Sequence, residues 1–166
     1  KGTGERETIT YNTTAAGTYY IDVYSNGSYG TDQEYTLSWS LVQCDDSYEP
    51  NNSLSTAYGP LTAGTSYNSK ICGSSDGDYF KIETEEAGLI TVTLDMPLDV
   101  DYNVILYDDA SQSWVAGSYK GTGERETISY NTTAGIYYIY VYSNGSYDPD
   151  QEYTLSWSLV QCDDSY

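Results

Sequence analysis

The sequence predicts an all-β fold, an antiparallel, jelly-roll-like β-sandwich arranged in tandem modules. Three observations carry that expectation. Apolar and polar residues alternate through short runs rich in Tyr, Val, Ile and Thr, which is the period of a strand with one buried face. Turn signals such as Asn26-Gly27-Ser28 separate those runs at roughly ten-residue spacing. Finally, Lys1–Tyr48 recurs at Lys120–Tyr166 almost letter for letter, one residue shorter, the mark of a repeat architecture. No stretch shows a sustained apolar period of 3.6 residues, so helices are not expected.

Taken in order, residues 1–43 read as the C-terminal half of one repeat, 44–161 as a complete repeat and 162–166 as the start of the next. Residues 5–11 alternate, Asn12–Gly17 form a turn, and Thr18–Ser25 form a strand. In Glu34–Val42, Tyr35, Leu37, Trp39 and Leu41 share one face and Thr36, Ser38 and Ser40 the other. Cys44–Asn52 (CDDSYEPNN) opens the complete repeat, and its first five residues return as Cys162–Tyr166. Ser53–Ser66 is rich in Gly, Pro, Ser and Thr and is expected to cover an end of the module. Ser69–Gly73 reads as a short strand before the acidic turn Ser74–Asp78. Tyr79–Thr84, Leu89–Asp95, Tyr102–Tyr107 and, more weakly, Ser113–Ala116 follow; the second copy adds Arg125–Tyr130, Ile136–Ser143 and Glu152–Val160. The copies differ mostly where a sandwich tolerates it. Gly30-Thr31 stands opposite Asp148-Pro149 in turn-like sequence, and Asp22 opposite Tyr140 on the polar phase of a strand.

Composition narrows the function. With 25 acidic residues against 6 basic ones and a net charge of −19, the chain lacks the basic face that nucleic acid or an anionic membrane requires. No apolar run is long enough for membrane insertion by a helix. There is no His and no glycine-rich phosphate loop, and the acidic pairs lie in turns, so the chain is not expected to be an enzyme. Each repeat carries two cysteines, which makes Cys44–Cys72 the natural pair. A disulfide from an oxidising compartment is favoured over a zinc site, and the location expected is extracellular, secreted or at the cell surface.

The complete repeat resembles the bacterial pre-peptidase C-terminal domain. The residues that carry the resemblance are Asp46–Asn52 (DSYEPNN), Asp76-Gly77-Asp78-Tyr79-Phe80, Asp99–Asp108, Gly135–Ile139 and Tyr153-Thr154-Leu155. The resemblance implies a β-sandwich of the kind found beside secreted enzymes, similar to the calcium-dependent collagen-binding modules of clostridial collagenases. In those modules the EPN segment and the acidic turn meet to bind metal.

Pro50 and the Asn amides can by themselves make Glu49–Asn52 a plain turn. The functional reading is a Ca²⁺ site, because calcium takes six to eight hard oxygens and Asp46, Glu49, Asn51, Asn52, Asp76 and Asp78 offer them from two loops. Asp99, Asp101, Asp108 and Asp109 make a second acidic group, read as solvated loop. Asn12, Asn26, Asn131 and Asn144 begin sequons at equivalent, turn-like positions where a glycan would be exposed. Tyr20, Tyr24, Tyr138, Tyr140 and Tyr142 lie on the outward phase of their strands, as in a contact surface for a neighbouring module or glycans.

The function expected is architectural: tandem sandwiches forming a calcium-stiffened fibril or stalk, whose partners are neighbouring copies of the repeat. The alternative is a non-catalytic substrate-binding accessory array, for polysaccharide or protein, on a secreted hydrolase. Three strands with one apolar face do not stay alone in water, so residues 1–43 are expected to need strands from another copy or from a continuous array.

Overall fold

Alternation becomes a sandwich wherever partners are at hand. The computed structural model describes residues 5–11, 17–27, 29–41 and 46–161 and divides into two units, Lys1–Leu41 and Val42–Tyr166. The second unit holds eight strands: β1 (Ser66–Ser69), β2 (Gly77–Thr84), β3 (Gly88–Asp95), β4 (Asp101–Asp108), β5 (Ser113–Ser118), β6 (Glu126–Thr132), β7 (Gly135–Ser146) and β8 (Tyr153–Gln161). They form two four-stranded sheets, ordered β1-β8-β3-β6 and β2-β7-β4-β5. Every pairing within the sheets is antiparallel.

The core lies between the sheets. On β3, buried Ile90, Val92 and Leu94 alternate with half-buried Leu89, Thr91 and Thr93. Phe80, Ile82, Val104, Leu106, Ile139 and Val141 from the other sheet belong to the same cluster. Each such side chain contributes about 1.5–3 kcal/mol on burial. Trp157 closes one side, its indole N–H donating to the Leu61 carbonyl at 3.2 Å.

Three local expectations are corrected. Within residues 53–66, expected to cover an end, residues 58–61 run along the open edge of β2, and the Gly64 amide donates to the Trp157 carbonyl of β8. The Tyr58 amide donates to the Tyr79 carbonyl, and the Lys81 amide donates back to Tyr58. This strap satisfies backbone groups that a bare edge leaves open. The strand placed at Ser69–Gly73 lies earlier, at Ser66–Ser69, because the Lys70 amide turns away to donate to the Asp46 carboxylate at 3.2 Å. Asn144-Gly145 does not close a hairpin. Tyr102 pairs with Ser143 and Asp101 with Ser146, so the two residues bulge out of a strand that continues, and the chain turns later, at Asp148–Gln151.

The ladder also fixes polarity. Asp46 accepts from the Ser69 hydroxyl, and Ser69 pairs with Tyr153, the first residue of β8. The last residue of β8, Gln161, pairs with Gly88. The chain therefore comes in at one end of the module and leaves at the other, about 27 Å away along the strand.

The first unit is different. Its described residues contain no helix or strand, although residues 5–11, 18–25 and 34–42 were expected to be strands. Tyr35, Leu37, Trp39 and Leu41 are all exposed. A strand needs a ladder and a face to bury, and the described residues of this unit supply neither.

Candidate metal centre at the incoming end of the module

Two loops converge beside the start of β2. One is Glu49–Asn52, the other Cys72–Asp76. The Asn51 carbonyl accepts from the Tyr79 amide at 2.8 Å, and the Asn52 Oδ1 accepts from the Gly77 amide at 3.3 Å. The first loop is thereby stitched to β2. Its own shape is held by Glu49 Oε2, which accepts from the Asn51 amide at 3.0 Å and from Asn52 Nδ2 at 3.2 Å. In the second loop the Asp76 carboxylate accepts from the Cys72 amide at 2.7 Å.

This stitching brings one carboxylate oxygen each from Glu49, Asp76 and Asp78 within 4.8 Å of one another. Asp78 is fully buried; its Oδ2 accepts from the Tyr153 hydroxyl and from Ser69 Oγ. Burial pushes its carboxyl well above the usual range, against those two hydrogen bonds. Burial likewise raises Asp76 to about 6, with the Glu49 and Asp46 charges adding to the rise. The site thus gathers negative charge where the protein disfavours it.

The polar atoms left over point to what would relieve that cost. Asp78 Oδ1 and both side-chain polar atoms of Asn51 are buried and without a hydrogen-bond partner, and Asn51 is 0% exposed. Such orphans are costly and rare in folded proteins. A hard cation takes carboxylate and amide oxygens of this kind, and the donor set is oxygen throughout. The residues fit calcium on chemistry.

Of the six expected ligands, Glu49, Asp76 and Asp78 are therefore brought together, with Asn51 buried in the loop that carries Glu49. Asn52 and Asp46 are engaged otherwise. Asn52 bridges the two loops. Asp46 pins the incoming chain to Ser69 and Lys70. Sequence reasoning missed Ser69 and Tyr153 as partners of Asp78. Tyr153 is distinguished in the sequence only by its apolar phase, which signals core.

The second acidic group, read as solvated loop, is divided: Asp99 and Asp101 lie at the start of β4 and Asp108 and Asp109 at its end. Asp108 holds a turn by accepting from Ala110 and Ser111. Asn131 is exposed but lies within β6 rather than in a turn. Asn144 is exposed on the β7 bulge and donates to Asp101 at 3.0 Å. Asn26 is exposed at a bend. Asn12 and Cys44 lie outside the described residues.

On the outer face of the second sheet the tyrosines spend their ring faces on one another. Tyr79 and Tyr140 stack at 4.2 Å, and Tyr140 and Tyr142 at 5.2 Å. Burial, then the neighbouring Tyr140, raises Tyr79 to about 12. Trp114 and Tyr119 meet edge to face and stay exposed.

The second unit is, by architecture, an all-β sandwich module with a polar, oxygen-rich cluster at one end. The model of one family, the bacterial pre-peptidase C-terminal domain, matches residues 76–143, so the resemblance read from the sequence holds over that stretch. Among solved structures, the pre-peptidase C-terminal domain of the collagenase from Bacillus anthracis is similar at 20% identity, covering 58% of this chain and 90% of that one, with a TM-score of 0.48.

Proposed function

We propose that this chain is an extracellular, non-catalytic structural protein whose sandwich modules are stiffened by calcium and strung end to end into a fibril or stalk. The observation that carries the reading is the meeting of the Glu49, Asp76 and Asp78 carboxylates, where Asp78 Oδ1 is buried and unpartnered, as is the Asn51 side chain in the loop that carries Glu49. Those four side chains would hold the ion, with Asp46 and Asn52 shaping the loops around it. The ion would supply only positive charge, tying the incoming segment to the start of β2.

The architectural part rests on polarity and repetition. Incoming and outgoing ends lie on opposite sides of the module, and residues 1–48 repeat 120–166. A Cys44–Cys72 disulfide would pin the joint. In its support, Cys72 is half-buried beside the Asp76 carboxylate, to which its amide donates at 2.7 Å. Asn26, Asn131 and Asn144 are exposed enough to carry glycans. The pre-peptidase C-terminal family supports a secreted, accessory role, and no described helix is long and apolar enough to cross a membrane. The second reading, an accessory module that holds substrate, is favoured by exposed Trp114 and Tyr119.

The test is differential scanning calorimetry of the chain with calcium and with chelator. Calcium bound only by the folded state raises the melting temperature, and Asp78→Asn should remove most of that rise. An identical melt under both conditions would reduce the cluster to a solvated joint.

A further inference from the structure

Residues 5–41 repeat β6–β8 in sequence, but the described residues among them form no strand. Tyr19, Ile21, Val23, Tyr35, Leu37 and Trp39 are 49–77% exposed, while Tyr137, Ile139, Val141, Tyr153, Leu155 and Trp157 are 0–5% exposed. The difference between the two sets is what they pack on. The second set rests on β1–β5, and the described residues of the first unit hold no strand for the first set to rest on.

We infer that the faces carrying Tyr19, Ile21 and Val23 and Tyr35, Leu37 and Trp39 are a docking surface for the front half, residues 46–118, of a second copy of this module. The register is the one β6–β8 hold. Tyr35 would lie opposite Ser69 of that copy, Leu37 opposite Leu94 and Trp39 opposite Val92, as Tyr153, Leu155 and Trp157 do here. The inference deepens the end-to-end reading above and rests on it.

The occupant has to be a second copy because this chain's own front half already carries β6–β8. The docked half would differ from the native one at Asp22, which would lie over Gly77 and beside Tyr79, where Tyr140 now stacks.

The experiment adds a second copy of residues 44–119 ahead of Lys1 in the full chain. Amide exchange is followed on peptides carrying Asp22 or Thr31, which differ from the Tyr140 and Pro149 peptides. The expected result is a monomer in which residues 17–41 exchange at least about a hundredfold slower than in the original chain. Unchanged exchange there, or slowing seen only in aggregates, would overturn the inference. Val92→Asp confined to the added copy should return residues 17–41 to fast exchange and leave 135–159 protected. Protection that survives that substitution also overturns it, because the register is then wrong. The calorimetry with chelator is done on the original chain, so the calcium reading and this one can fail separately.

Discussion

Residues 35–41 and 153–159 have the same sequence, Tyr-Thr-Leu-Ser-Trp-Ser-Leu. In the second unit this heptapeptide is the first seven residues of β8, with Tyr153 and Leu155 fully buried and Trp157 nearly so. In the first it is in no strand, and its Tyr, Leu and Trp are more than half exposed. Local propensity is identical, so it cannot be the cause of the difference. What β8 has is β1 on one side, β3 on the other and Leu61 beneath its indole. The strand state is thus a property of the assembled sheet, and the sequence pattern only makes a segment eligible for it.

Paired substitutions can break or sharpen that comparison. The largest effect is expected at the tryptophans. Trp157→Ala removes a buried indole and should cost about 3–5 kcal/mol, whereas Trp39→Ala should stay within about 0.5 kcal/mol. Urea unfolding monitored by circular dichroism measures both. Comparable losses would mean that residues 35–41 are packed after all.

The next effect is at the tyrosines. Tyr153→Phe takes a hydrogen bond from the buried Asp78 carboxylate and should cost about 1.5–3 kcal/mol. Tyr35→Phe, at an exposed ring, should be neutral in the same assay. Tyr140→Asp installs the residue that the first copy carries. It breaks the Tyr79–Tyr140–Tyr142 stack and should cost about 1–2 kcal/mol; a neutral outcome would show that the stack contributes nothing.

The smallest effect is on pH, because Asp76 is partly exposed and solvent screens it. Its folded carboxyl titrates near 6, above its ordinary 3.8. The folded state therefore binds the proton more tightly, and this contribution to stability is present below the unfolded value and lost as pH rises through 6. Without calcium the second unit should melt higher at pH 5 than at pH 7. Saturating calcium should erase or reverse that order. A metal-free melt that instead rises from pH 5 to 7 would contradict the assignment.

Much of the sandwich was legible because its signal is local. Leu89–Asp95 alternates and Tyr102–Tyr107 holds a short apolar run, Val104 to Leu106; they became β3 and β4 with one residue added at one or both ends. The misreadings arose where one residue type serves two geometries. Asn-Gly suits a bulge as well as a hairpin turn, and a Ser/Thr/Gly/Pro-rich run suits an edge strap as well as an end cap. Ser66–Ser69 carries almost no apolar signal and was placed late, drawn toward Ile71. Of the candidate site, the acidic residues were legible from their motif. Their partners were not, because Tyr153 lies 75 residues from Asp78 and nothing in the chain marks that encounter. The exposure of residues 17–41 was legible only as a deficit of strands, which the repeat made countable.

The central claim is that one sequence folds or stays open according to whether its front half is present. Residue-resolved amide exchange on the chain as it stands tests this most directly, with the copies told apart by Asp22 against Tyr140 and by Thr31 against Pro149. The account expects residues 135–159 to exchange only through unfolding of the second unit and residues 17–41 to exchange at close to the rate of an unstructured peptide. Equal protection of the two copies would contradict it.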